Sequence, residues 1–211
     1  MIIGRTSTSA ETNSKFNYLS KQKYFLISHI ARDFIIENTI STLPVNLSKI
    51  VQNNCWKTVR YSKLKDLNFS EYDSIMELNH GFTQQLGTDN YIIFYNDQIP
   101  MSVQRFTIAH EIGHIVLNHF NVPIENREQE ANMFAARLLM PMCVLLECKI
   151  SSEQELSSLC HVSEISAHYR YERLQMLKKR NKFYTDPNEI KLKSQFDAFI
   201  QNYLKNKNAK K

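Results

Sequence analysis

An α+β fold, with a small sheet early and helices after it, follows from three features of the 211-residue chain. Pro44, Pro100, Pro123, Pro141 and Pro187 separate stretches of different patterning, as residues that cannot continue a helix do. The segments of strand composition, "CWKTVRY" and "YIIFY", both lie in the first half. From Ser102 onward the spacing of apolar residues is helical almost throughout. Strands first and helices later, without alternation, define this class.

The elements follow in order. The first twenty residues are rich in Ser, Thr and Asn and read as a flexible tail, residues 1–20. They hold neither a basic stretch followed by an apolar run nor a cleavage-like site, so no secretory signal is expected. "YFLISHIARDFIIENTI" carries apolar residues at helical spacing, and "VNLSKIVQNN" after Pro44 reads as a shorter helix. "CWKTVRY" is a strand, and "GFTQQLGTDNYIIFY" is a hairpin turning around Gly87 and Asp89. Ser102 is the expected N-cap of the helix that follows, and Arg127 to Met140 forms the next one. Residues 21–148 are read as the main domain. Residues 149–211 are read as a basic helical extension in which "SSLCHVSEISAHYRYERL" makes a helix-turn-helix-like pair.

Composition narrows the classes. With 43% hydrophobic residues the chain can bury a core without covalent staples. No apolar run approaches the roughly 18 residues that span a bilayer. Cys55, Cys143, Cys148 and Cys160 lack CxxC spacing and read as reduced, mostly buried thiols of a cytoplasmic protein. Cys143, Cys148, Cys160 and His161 are poorly spaced for a second zinc site. The net charge of +5 is uneven: Lys149 onward carries 13 Lys/Arg against 7 Asp/Glu, and the remainder is close to neutral. A basic third of this kind fits either a nucleic-acid footprint or, more commonly, a solvated helical face with a basic tail.

The chemistry is concentrated in "RFTIAHEIGHIVLNHF", Arg105 to Phe120, where two histidines and a glutamate interrupt a stretch apolar enough to be buried. Buried imidazole and carboxylate groups are costly unless satisfied. On a helix, His110 and His114 share a face one turn apart and can aim ring nitrogens at one point. Glu111 is rotated by about 100° from His110, beside that point. This is the H-E-x-x-H arrangement, in which the histidines hold zinc and the glutamate moves protons for an attacking water.

A third ligand is needed. His119 does not fit the Gly and His spacing of longer zinc motifs and reads as a helix-end residue, favourable there when protonated. The acidic segment "ENREQEANMFAARLLMP" offers Glu125, Glu128 and Glu130. Glu128 and Asn132 form an i,i+4 pair on one face, so Glu128 is assigned to the metal and Asn132 to the free ring N–H of a ligating histidine. Glu130, on the opposite face, reads as a surface or packing carboxylate, and Glu125 as a first-turn acid.

"RFTIAHEIGHIVLNH" followed by "EQEANMFAARLLMP" resembles the ImmA/IrrE family of zinc metallo-endopeptidases. The resemblance is strongest from Gly81 to Pro141 and extends to about Leu177. It implies a reduced zincin-like fold for residues 21–148, with zinc on His110, His114 and Glu128 and Glu111 as the catalytic base. It also implies a protein substrate, a helix-turn-helix repressor of a mobile element or stress response. In that arrangement "YIIFY" reads either as an edge strand that receives an extended substrate or, for any single residue the safer reading, as an ordinary half-buried strand.

Two other classes compete. A DNA-binding regulator would use the helix pair, with Arg170 and Arg173 on phosphates and affinity falling steeply with salt; nucleic acid is not favoured, because a pair that covers a cleft explains the pattern equally well. A metal-dependent interaction protein that cuts nothing would have no need of Glu111. His161, His168, Tyr169 and Tyr171 lie downstream in expected helices, each reads as a packing or surface residue, and none is assigned to stabilising an oxyanion.

Overall fold

The computed structural model describes residues 2–4, 19–66, 72–120, 126–180 and 187–209. Most of the expected N-terminal tail, and Glu125, lie outside these residues. Within them the chain is an α+β structure of four strands and eleven helices. It divides into two compact units, one of residues 1–27 and 47–135 and one of residues 28–46 and 136–211.

The first unit is built on a mixed sheet of β1 (Ile2–Gly4), β2 (Lys57–Arg60), β3 (Gly81–Gln85) and β4 (Tyr91–Tyr95), in the order β1-β3-β4-β2. The hairpin expected around Gly87 is present: β3 and β4 pair antiparallel, with Phe82 opposite Phe94 and Thr83 opposite Ile93. Gly87 takes a φ of 157°, a conformation that side chains disfavour. Residues 2–4, within the stretch read as a flexible tail, pair with β3 as an edge strand. No local pattern announces a three-residue strand whose partner lies some eighty residues away.

Two expectations are corrected here. "YIIFY" is not an edge strand, because β2 pairs with it in parallel, Lys57 to Ile92 and Arg60 to Tyr95, and places β4 inside the sheet. Its mixed burial, with Ile93 and Phe94 buried and Tyr91, Ile92 and Tyr95 half-buried, fits that position. Ser102 does not cap the next helix. That helix, α5 (Met101–Val116), starts two residues earlier, after Pro100, whose carbonyl oxygen accepts from the N–H groups of Val103 and Gln104. Pro100 lacks an N–H to leave orphaned, and its fixed φ suits a helix entry.

The sheet has two unlike faces, as period-2 alternation requires. Phe82 and Phe94 stack with ring centroids 4.6 Å apart and pack with Tyr61, Leu64 and Met76. Tyr61 and Leu64 come from α3 (Tyr61–Asp66), and Met76 from α4 (Asp73–Leu78). The opposite pair, Thr83 and Ile93, is fully buried on the other face, toward α5. Because α5 is buried from Ala109 through Ile115, its polar residues are enclosed along with its apolar ones. α2 (Leu47–Asn53), as expected after Pro44, also packs on α5.

Glycine sets two close approaches to α5. A Cβ on Gly81 would stand 2.4 Å from Thr107 Cγ2, closer than any non-bonded carbon pair allows. A Cβ on Gly113 would meet Ala131 Cα, Ala131 O and Phe134 Cδ1, each at 3.2 Å. Both partners of Gly113 belong to α6 (Arg127–Leu139), the helix expected from Arg127 to Met140.

The second unit is helical. Besides residues from α1 (Lys21–Glu37), it contains α7 (Met142–Glu147), α8 (Glu153–Cys160), α9 (Glu164–Arg180), α10 (Pro187–Gln195) and α11 (Asp197–Ala209). Leu156, Cys160, Ala167 and Leu174 are buried along α8 and α9. Cys143 and Cys148 are buried and Cys55 is exposed, and all four thiols are free. Ser152 caps α8 by accepting from Glu155 N–H, and His161 takes the left-handed conformation at its C-terminus. Among the described residues no helix is long and apolar enough to cross a membrane.

Candidate metal centre

All the side chains at the centre belong to the first unit. His110, Glu111 and His114 come from the middle of α5 and are 5%, 3% and 1% exposed. Glu128 and Asn132 come from the first turns of α6. One ligand atom each from His110, His114 and Glu128 lies within 4.8 Å of the others. The Nε2 atoms of the two histidines are 2.9 Å apart, and the Glu128 oxygens lie 3.2 Å and 3.5 Å from them.

The hydrogen bonds on the far sides of the rings decide what those Nε2 atoms carry. His110 Nδ1 faces Asn132 Oδ1 at 2.9 Å, so Nδ1–H donates there. His114 Nδ1 lies 2.8 Å from His119 Nδ1, and His119 Nε2 lies 3.3 Å from Glu130 Oε2. A carboxylate only accepts, so His119 holds its proton on Nε2 and presents a lone pair at Nδ1. His114 must therefore donate from Nδ1. This assignment leaves both His110 and His114 with a lone pair on Nε2, and the two lone pairs face each other and a carboxylate.

That focus of electron density fits a cation. Both Glu128 oxygens are shielded from solvent and accept no hydrogen bond of good geometry. Burial pushes the Glu128 carboxyl up; hydrogen bonds and charge from the His110 and His114 rings, when these carry a proton toward it, outweigh this and hold it well below the usual carboxylate range. Two imidazoles and one ionised carboxylate make a donor set suited to a divalent ion of zinc's character, with a coordination position left over.

Glu111 stands apart from the ligands. It accepts from Thr83 Oγ1 at 2.7 Å, across from β3. Burial raises its pKa, opposed by His110, His114 and the Thr83 bond, and the net direction is upward. A carboxylate held by one hydroxyl and made more basic by burial is suited to accept a proton.

One sequence expectation fails here and another is narrowed. His119 is not a solvated helix-end residue: it is 1% exposed, and burial, followed by His114, lowers its pKa to about 4. Glu130 is 4% exposed and is not a surface charge; the packing half of its reading holds. α5 ends in a Schellman turn. Asn118 adopts a left-handed φ of 54°, its N–H donates to Ile115 O, and His119 N–H donates to His114 O. This motif folds the residue after the turn back against the third residue from the helix end, which places His119 on His114. The local signal was Asn118, a residue that tolerates the left-handed region. Thr83 carried no comparable signal.

A depression of about 730 Å³ is lined by Gln85, Asp89, Tyr91, Ile115 and Asn118 among others. None of the three converging side chains lines it. In the second unit, α8 and α9 are consecutive helices packed on one another, and Arg170 does not face outward for phosphate. Its Nε and Nη2 donate to Met140 O at 2.8 Å and 2.6 Å. His168 pairs with Glu153, Tyr171 donates to Ser151 O, and Tyr169 and His161 are exposed.

The packing predicts that Gly113→Ala is damaging out of proportion to one methyl group. Its added carbon presses on the α6 backbone, one turn from Glu128, where nothing flexible can yield. Overpacking of this kind costs about 1–3 kcal/mol. The expected result is a lower thermal midpoint together with weaker metal retention on dialysis. Unchanged values of both would mean that α5 and α6 can separate freely.

Comparison with known proteins bears on the whole. Residues 66–172, just over half of the chain, match the model of a peptidase family described as the IrrE N-terminal-like domain. A search of curated proteins found no match. The matched range contains every residue of the candidate metal centre.

Proposed function

Because the chain belongs to the peptidase M78, IrrE N-terminal-like family, a metallopeptidase family, we propose that it is a zinc-dependent endopeptidase that cuts a helix-turn-helix transcriptional repressor at one site in the cytoplasm. The observation that carries the enzymatic part is the convergence of His110, His114 and Glu128 with Glu111 standing beside them as an acceptor not needed for binding.

A zinc ion held by these three ligands would acidify a water and polarise the scissile carbonyl. The residues of the chain do the rest. Asn132 and His119 fix the two imidazoles so that Nε2 is the ligating atom. Glu111 takes the proton of the attacking water on its carboxylate and later delivers it to the departing amine. Thr83 holds that carboxylate in place, and the buried surroundings limit competing water. A protein that merely held a metal would gain nothing from enclosing an acceptor-only carboxylate, since burial makes its charge costly.

The repressor is the finer part of the reading, and the family resemblance is its support. The helical second unit adds surface on which one folded partner could be recognised. Co-expression with a helix-turn-helix repressor encoded beside this protein is expected to give a discrete cleavage product that disappears with Glu111→Gln. Efficient digestion of casein-like substrates, with no preference for the repressor, would instead indicate a general protease.

A further inference from the structure

We propose that His119, Glu130 and Lys23 form a positioning chain that holds the metal-facing His114 in its ligating tautomer and orientation. The inference rests on the metal reading above and extends it to residues that touch neither metal nor substrate. The chain is continuous: His114 Nδ1 to His119 Nδ1 is 2.8 Å, His119 Nε2 to Glu130 Oε2 is 3.3 Å, and Glu130 Oε1 to Lys23 Nζ is 3.0 Å. It starts at a side chain that is 1% exposed and ends at a lysine whose side chain is 40% exposed.

Three observations favour positioning over incidental packing. A histidine and a glutamate, each under 6% exposed, would be replaced at lower desolvation cost by apolar residues if filling space were their only task. The direction of the hydrogen bonds is forced from one end: Lys23 only donates, so Glu130 is an acceptor to both neighbours, and the order of donors runs unbroken to His114. The other metal-facing histidine has its own separate support, since Asn132 alone satisfies His110 Nδ1. The two rings are thus oriented independently, one by an amide on α6 and one by a chain that also recruits α1. Outer partners of ligating histidines typically account for 10- to 100-fold in metal affinity.

The test compares His119→Leu, which fills the space without hydrogen bonds, with His119→Gln, whose amide can accept from His114 and donate to Glu130. Zinc affinity is measured on purified full-length protein by competition with a chromophoric chelator, and thermal midpoints are recorded alongside. The expected result is a 10- to 100-fold loss of affinity in His119→Leu, recovered to within a few-fold of wild type in His119→Gln, with an intermediate loss in Glu130→Gln. A purely structural role would move the midpoints but leave the affinities of the folded variants equal, and that result overturns the proposal. If His119→Leu does not fold, the comparison of Glu130→Gln and His119→Gln with wild type decides it: affinity unchanged in Glu130→Gln overturns the chain beyond His119. Wild-type protein that binds no zinc would overturn the metal reading itself, and this inference with it. Tight wild-type binding with indifferent variants overturns only the positioning chain.

Discussion

Glu111→Gln is expected to fold, to keep its metal, and to lose peptide-bond cleavage by about a thousand-fold. The amide preserves the shape of the side chain and its oxygen can still accept from Thr83 Oγ1, so the geometry of β3 against α5 has no reason to change. What disappears is the ability to take a proton, and general acid–base catalysis contributes roughly 10²- to 10⁴-fold. Stability should not fall. Burial and the neighbouring Glu128 both disfavour the ionised form of Glu111, so a neutral group relieves a cost rather than adding one. The measurements are zinc content, thermal midpoint and single-turnover cleavage of the repressor. A variant that cleaves at near the wild-type rate would remove Glu111 from the mechanism, and one that loses zinc would make it a ligand.

Glu128→Ala should have the opposite signature, losing the metal at the outset and activity only as a consequence. Glu128 is the one carboxylate among the three converging side chains, and its carboxyl is held well below the usual carboxylate range. Glu128 is the proposed third ligand, so its deletion should cost more than the roughly 10- to 100-fold expected for an outer partner such as Asn132. Its side chain is 35% exposed, and truncation leaves little cavity. Zinc analysis after dialysis, with circular dichroism to verify the fold, separates this from unfolding. Retention of stoichiometric zinc by Glu128→Ala would mean that another residue supplies the third ligand.

Much of this site could be read in the sequence because helices have a fixed period. His110 and His114 one turn apart, and Glu128 one turn before Asn132, are local patterns that survive folding unchanged. The hairpin and most helices were legible for the same reason. What could not be read depends on contacts between distant segments. β1 is too short to have a pattern, and β2 joins β4 in a parallel pairing that no turn residue announces. That second pairing is why β4 is internal to the sheet. Thr83 is a polar residue at a position where alternation predicts an apolar one, and only the arrival of Glu111 from α5 explains it. His119 is not the solvated residue that helix-end rules for isolated helices expect, and of the two readings of Glu130 only the packing one holds. A Schellman turn and a second helix bury both side chains.

The placement of β2 has a consequence for how copies of this protein meet one another. A free sheet edge is a template on which a second chain can add a strand, the usual beginning of ordered aggregation. Here the long, apolar β4 is kept from that fate by pairing on both sides, and the edges are given to strands of three and four residues. β2 also exposes Lys57 and Arg60 at its two ends, so an identical edge approaching it would bring like charges together. Among the described residues, the β2 edge thereby presents neither the length nor the neutrality that self-association through backbone pairing requires, and the β1 edge lacks the length.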